Sequence, residues 1–210
     1  MVIGTRRPRS PEENGHIPSP FRARTIPGLL ADAAHRWGDR PAYRQKIRRE
    51  WQQMTFRDVN QRARAFAAGL AALGMRKGDR VAIVMENGLD WVIGYLGQSI
   101  AGGIGVPIYY DLKADEIDRE MRHAECRFLI CSTKVLDRIG EQHGLEKIIV
   151  AGDQVVDRLG RGGRFFRSPR PDVVSFAQVE SLATDESRRD IESLDIQPDD
   201  LASIVFTSGT

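Results

Sequence analysis

Residues 55–85, TFRDVNQRARAFAAGLAALGMRKGDRVAIVM, spell out a helix, a stop and a strand in that order. Thr55 followed by Asp58 has the form of a capping box, in which hydroxyl and carboxylate serve the exposed N–H groups of a first helical turn. Apolar side chains then recur at Val59, Ala63, Phe66, Leu70 and Leu73, a rhythm that lines one helical face. Gly74 supplies the stop. After a turn at Gly78 and Asp79, the short apolar run over residues 80–85 predicts a strand buried on both faces.

Such a strand needs a layer on each side, and the flanking sequence supplies it. A helix is expected from about Leu89 to Ala101, leading to a central strand over 104–108. A second helix, with Ala114, Ile117, Met121 and Ala124 on one side, leads to a strand over 127–131. A shorter one around Val135, Leu136 and Ile139 leads to a strand over 147–150. Strands alternating with helices at this spacing predict an α/β fold, a parallel sheet with helices on both faces. Upstream, Thr25 or Ile26 caps a short helix running to about Trp37, with Pro27 in its first turn. Two short strands, 41–44 and 50–54, are joined by a charged turn over 46–49. Downstream, 158–170 reads as an exposed Gly- and Arg-rich excursion, 175–178 as the cap of a short helix, 185–200 as a polar connection and 201–206 as one more strand. Residues 1–24, with prolines at 8, 11, 18 and 20, read as a flexible basic arm, and residues 25–210 as one α/β unit.

Composition agrees with a globular chain: 41% of the 210 residues are hydrophobic, enough for a sizeable core. The net charge of +2 singles out no partner, but residues 1–50 carry 11 basic and 5 acidic side chains against 20 and 24 in the remainder. That basic stretch suits phosphate or anionic lipid, although a solvated leader is the plainer reading. Two cysteines, Cys126 and Cys131, exclude a disulfide-stapled scaffold and a cysteine zinc cluster. Their offset of five across a strand puts them on opposite faces, as buried reduced thiols. Residues 1–24 hold no apolar run of the length a secretory signal needs, so none is expected there. Residues 91–110 are uncharged over the length of a bilayer span, yet five glycines, Gln98, Ser99 and Pro107 make a buried helix and strand the better reading.

Few residues point to chemistry. Thr207-Ser208-Gly209-Thr210, directly after a strand, brings three hydroxyls and several backbone N–H groups around a glycine that permits close approach, the parts of a phosphate-cradling loop. Gly102, Gly103 and Gly105 precede their strand and lack the G-x-G-x-x-G spacing, so they serve packing and turns. His16, His35, His123 and His143 are scattered without metal-ligand spacing. Asp115, Glu116 and Asp118 suit the first turns of a helix rather than acid/base work. Trp37, Trp51 and Trp91 stand too far apart for a nucleic-acid stacking platform. The arginines at 158, 161, 164, 167 and 170 could meet coenzyme A or lipid phosphates, but read as a solvated loop.

In its wider setting the terminal loop is more specific. Residues 199–210, DDLASIVFTSGT, resemble the start of the phosphate-loop signature of the AMP-forming acyl-adenylating enzymes, where the loop continues Thr-Gly-x-Pro-Lys-Gly. LAALG at 70–74, GDRVAI at 78–83, ENGLDW at 86–91 and AGGIGVPIY at 101–109 are similar to the same superfamily, in the same order. Trp51 ahead of Met54, Thr55 and Phe56, together with the segment at 123–125, leans toward its long-chain fatty acyl-CoA synthetase branch.

The resemblance implies a two-step ligase. A carboxylate attacks the α-phosphate of Mg-ATP to give an acyl-adenylate and pyrophosphate, and coenzyme A then displaces AMP. Thr207, Ser208, Gly209 and Thr210 would hold the β- and γ-phosphates, since a departing pyrophosphate needs preorganised donors. ATP, magnesium and coenzyme A are the implied cofactors and co-substrates. The partners are small molecules and no nucleic acid, and the location is cytoplasmic with at most peripheral membrane contact. The loop's lysine and the later catalytic motifs have no counterpart before residue 210. The chain is therefore expected to be an N-terminal piece, with no catalytic or metal-ligating residue of its own, inactive alone and poorly soluble through bared apolar surface. Three alternatives remain at this point: another acyl or aryl adenylating enzyme, a P-loop nucleotide hydrolase whose G-x-x-x-x-G-K-[ST] would open at Gly209, and a non-catalytic remnant.

Overall fold

The structure, a computed structural model, describes residues 24–47, 49–139, 144–152 and 172–207. The arm at 1–23, the Arg-rich stretch at 158–170, His16, His143, Ser208, Gly209 and Thr210 lie outside the described residues. Helix α1 (Ile26–Trp37) is capped by the Thr25 hydroxyl, which accepts from the Gly28 N–H. Strands β1 (Pro41–Ile47) and β2 (Glu50–Thr55) form an antiparallel ribbon. Helix α2 (Phe56–Ala72) begins at the expected capping box: Asp58 N–H donates to Thr55 Oγ1, and Thr55 N–H donates to the Asp58 carboxylate. It ends in a Schellman pair, Gly74 N–H to Ala71 O and Met75 N–H to Leu70 O, for which Gly74 adopts φ +88°.

Strand β3 (Arg80–Val84), α3 (Leu89–Ile100), β4 (Ile104–Pro107), α4 (Ala114–His123), β5 (Phe128–Ser132), α5 (Thr133–Arg138) and β6 (Lys147–Ala151) then alternate. Beyond them come β7 (Asp172–Ser175), α6 (Phe176–Ser181) and α7 (Asp185–Ser193). The five strands β3–β7 form one parallel sheet in the order β4-β3-β5-β6-β7.

The alternation of strand side chains builds two cores. Val81, Ile83, Phe128, Ile130 and Ile149 face one way, against Phe66, Ile93, Phe176 and Val179 from α2, α3 and α6. Ala82, Val84, Leu129, Cys131, Ile148 and Val150 face the other way, against Ile117, Met121 and Val135 from α4 and α5. Each fully buried Ile, Leu or Phe is worth about 1.5–3 kcal/mol relative to exposure. This is the predicted α/β class, with helices on both faces.

Four expectations change. Residues 185–193 form α7 rather than a polar connection, because a Thr184/Ser187 capping box starts a helix whose Ile191 is buried. Strand β4 lies at an edge of the ladder, not at its centre. The segment 201–206 makes one parallel bridge, Ser203 to Gly105, instead of a full strand. Cys126 and Cys131 sit in the same core cluster, since Cys126 precedes β5 and the counting by twos does not extend to it. Both thiols are buried and free, and burial pushes Cys126 up to about 12 and raises Cys131 as well. Among the described residues no helix is long and apolar enough to cross a membrane, and 91–110 divide between α3 and β4.

Candidate functional site

The strand order decides where a ligand could sit. From β3 the chain goes to β4 on one side, then returns to β5 on the other, and in open α/β sheets crevices form at the carboxyl ends beside such a switch. A groove of about 720 Å³ lies there, lined by Met85, Glu86, Asn87 and Gly88 after β3, Ser132 at the end of β5, and Ala151 and Gly152 at the end of β6. The β1–β2 ribbon closes one side with Gln45, Glu50 and Gln52. The ribbon is tied to α3 by Gln45 Oε1, which accepts from the Leu89 N–H at 3.1 Å.

Ion pairs arrange the polar walls. Arg62 of α2 donates from Nε and Nη2 to Glu180 Oε1, at 3.0 and 2.7 Å, and lies 3.7 Å from Asp90. Lys134 Nζ stands 3.1 Å from Glu86 Oε1. Partial burial pushes the Glu86 carboxyl upward, but its own backbone N–H, Ser132 and Lys134 outweigh this and hold it below the usual range. The Ser132 hydroxyl contributes by proximity; it is buried without a hydrogen-bond partner of normal geometry.

The predicted phosphate loop approaches the same end of the sheet from the other side of β4. Gly105 N–H donates to Ala202 O, Ile204 N–H donates to Gly105 O, and Ser203 Oγ donates to Gly105 O at 2.8 Å. Because this bridge is parallel, residues 204–207 run toward the carboxyl end of β4. Ile204 and Phe206 pack on the second core cluster, with the Phe206 ring 5.9 Å from His123, and Thr207 is exposed. Thr207 does not line the groove, and Ser208, Gly209 and Thr210 lie outside the described residues.

The remaining candidates are structural. Gly103 and Gly105 receive the buried Gln98: a Cβ at 103 would stand 2.7 Å from Gln98 Oε1, and one at 105 would stand 2.8 Å from Gln98 Nε2. Asp115 and Glu116 occupy the first turn of α4, and Asp118 pairs with Arg122 one turn on. Sequence reasoning missed the groove residues Gln45, Arg62, Glu86 and Ser132, and Lys134, which pairs with Glu86. Only the resemblance of 86–91 touched them. Among the described residues no group of three or more His, Cys, Asp or Glu stands together in a way that could hold a metal ion.

Comparison with known proteins agrees with this architecture. Long-chain-fatty-acid–CoA ligase of Salmonella typhimurium is 28% identical over 207 residues, covering 91% of this chain and 36% of that protein. 4-Coumarate-CoA ligase 1 of Narcissus pseudonarcissus is 24% identical over 176 residues, covering 84% of this chain and 29% of the relative. Coronafacic acid ligase from Pectobacterium brasiliense superposes with a TM-score of 0.67 at 20% identity, over 87% of this chain and 33% of that one, and so shares the fold. The chain thus spans about a third of the length of the curated relatives it matches. A family profile described as AMP-binding enzyme matches residues 30–210, from within α1 across the whole parallel sheet to residue 210, and the chain therefore belongs to the AMP-binding enzyme family.

Proposed function

We propose that the whole protein is an ATP-dependent, AMP-forming ligase that joins a long-chain fatty acid to coenzyme A in the cytoplasm. We propose also that residues 1–210 alone do not catalyse it. The observation that supports the reading is the parallel bridge at Ser203, after which residues 204–207 run toward the carboxyl end of the sheet, with Ser208-Gly209-Thr210 next in the sequence. Backbone N–H groups and hydroxyls of these four residues would hold the β- and γ-phosphates of ATP. Magnesium would enter with the nucleotide, and no step assigned to these residues passes through it. Long-chain acids are favoured by the bacterial relative, while the plant relative makes aryl acids the second class to try.

The test uses the full gene product with Mg-ATP, coenzyme A and a panel of fatty and aryl acids. Pyrophosphate and thioester should form with long-chain acids, and Gly209→Val should lower pyrophosphate release by about a hundredfold or more, the loss typical of removing preorganised charge stabilisation. Thioester formation only with aryl acids would move the assignment to the second class. Unchanged turnover in Gly209→Val would reject the phosphate loop. Pyrophosphate formation by residues 1–210 above background would reject their proposed inactivity.

A further inference from the structure

The β1–β2 ribbon has two unlike faces. Gln45, Gln52 and Glu50 turn toward the groove, and Met54 packs on the core. The register pairs Arg44 with Gln53 and Lys46 with Trp51, so these four share the opposite face, and all four are exposed. Trp51 is 65% exposed, an unusual state for an indole, and the Arg44 guanidinium lies 5.7 Å from its ring centroid. Arg49, held at φ +72° in the turn, is exposed beside them. The ribbon's one acidic residue, Glu50, belongs to the other face.

We propose that this outer face docks on the headgroup layer of an anionic membrane. An indole has an apolar body and a polar N–H, and tryptophan accordingly collects at membrane–water interfaces. Basic side chains beside it are attracted to anionic headgroups within a Debye length of the surface. Charge complementarity selects this occupant. The outer face and its turn are cationic, whereas the chain outside residues 41–55 is nearly balanced, with 27 basic and 28 acidic side chains, so the ribbon is the part a negative surface attracts. A single-stranded nucleic acid is a poorer match, because it stacks on successive aromatics and the ribbon's outer face offers one. The proposal is independent of which carboxylic acid the protein activates.

The test is co-sedimentation of the full gene product with vesicles of pure phosphatidylcholine and with vesicles of an equal mixture of phosphatidylcholine and phosphatidylglycerol. The chain should partition to the mixed vesicles and be released by salt. Arg44→Gln with Lys46→Gln should weaken partitioning roughly thirtyfold, each cation contributing about fivefold. Trp51→Phe should abolish most quenching of tryptophan emission by brominated lipid, with circular dichroism verifying that each variant is folded. Equal binding to both vesicle types overturns the proposal, as does unchanged partitioning of the double variant. Binding to single-stranded RNA without binding to mixed vesicles would overturn it too.

Discussion

Gly69 tests whether helix packing or helix propensity governs the helical layer over the sheet. It lies within α2, where alanine would favour the helix by about 1 kcal/mol. Against that, a Cβ on residue 69 would stand 1.9 Å from Val179 O and 2.8 Å from Val179 Cγ1. A carbon and a carbonyl oxygen normally approach no closer than about 3.3 Å, so α6 would have to withdraw by roughly 1.4 Å. Backbone cannot rotate away as a side chain does, and α6 carries Phe176, whose ring stacks on Phe66 at 4.1 Å between centroids. Overpacking of this kind costs about 1–3 kcal/mol or more, and the shifted α6 places it at the upper end. Gly69→Ala should therefore destabilise by about 2 kcal/mol net, which lowers the urea midpoint by about 1 M at an m-value near 2 kcal/mol/M. Gly94→Ala is the control. Its Cβ would meet Ile130 Cδ1 at 3.3 Å, the far end of a side chain that can move, so the helix gain and the packing cost should nearly cancel. Urea unfolding followed by far-UV circular dichroism measures both. A Gly69→Ala midpoint equal to or above that of Gly94→Ala would refute the packing argument.

Two further outcomes follow from charge and burial. Arg127 donates to both Glu146 oxygens, at 2.8 and 2.6 Å, and to the buried Asp79, while Lys77 pairs with Asp200 at 2.7 Å. These partners hold Glu146 and Asp200 below the usual carboxylate range. A depressed folded pKa gives stability that is present above the unfolded value, near pH 4, and is lost as pH falls through the folded one. Thermal midpoints should thus fall below about pH 4, and Arg127→Met should lower the neutral midpoint and shrink the acid-induced drop; an unchanged pH profile would count against the Arg127 network. The two cysteines, raised by burial and with Cys126 near 12, should resist Ellman's reagent at pH 8 in the native chain and both react in guanidinium. Rapid native reaction would show that the second core opens.

What was legible in the sequence was whatever one segment decides alone. Val59, Ala63, Phe66 and Leu70 announce α2 because one face of a helix repeats locally, and β3 is legible because its residues are buried in both directions. Helix α7 was not, since Ile191 is its one large buried apolar side chain and the rest of DESRRDIES reads as solvated. Strand β7, four residues long, is too short to show alternation. The place of β4 was unreadable for another reason: strand order follows from pairing between distant segments, and an uncharged run does not distinguish a centre from an edge covered by residues 202–204. The same limit hid the groove. Gln45, Arg62, Glu86 and Ser132 come from four segments that meet only once the sheet is assembled, whereas the residues from Thr207 onward drew notice through local resemblance.

Strand order also fixes how these two halves of the candidate site relate. The groove opens over β3, β5 and β6, and Thr207 arrives beyond the outer edge of β4. All these strands run in one direction, so both features lie at the same end of the sheet with the end of β4 between them. That intervening position belongs to residues 108–110, where Ile108 is buried and the Tyr109 ring, 62% exposed, leans on Tyr110 at 5.3 Å. Residues 108–110 therefore stand between Thr207 and the Glu86–Lys134 pair in the strand order.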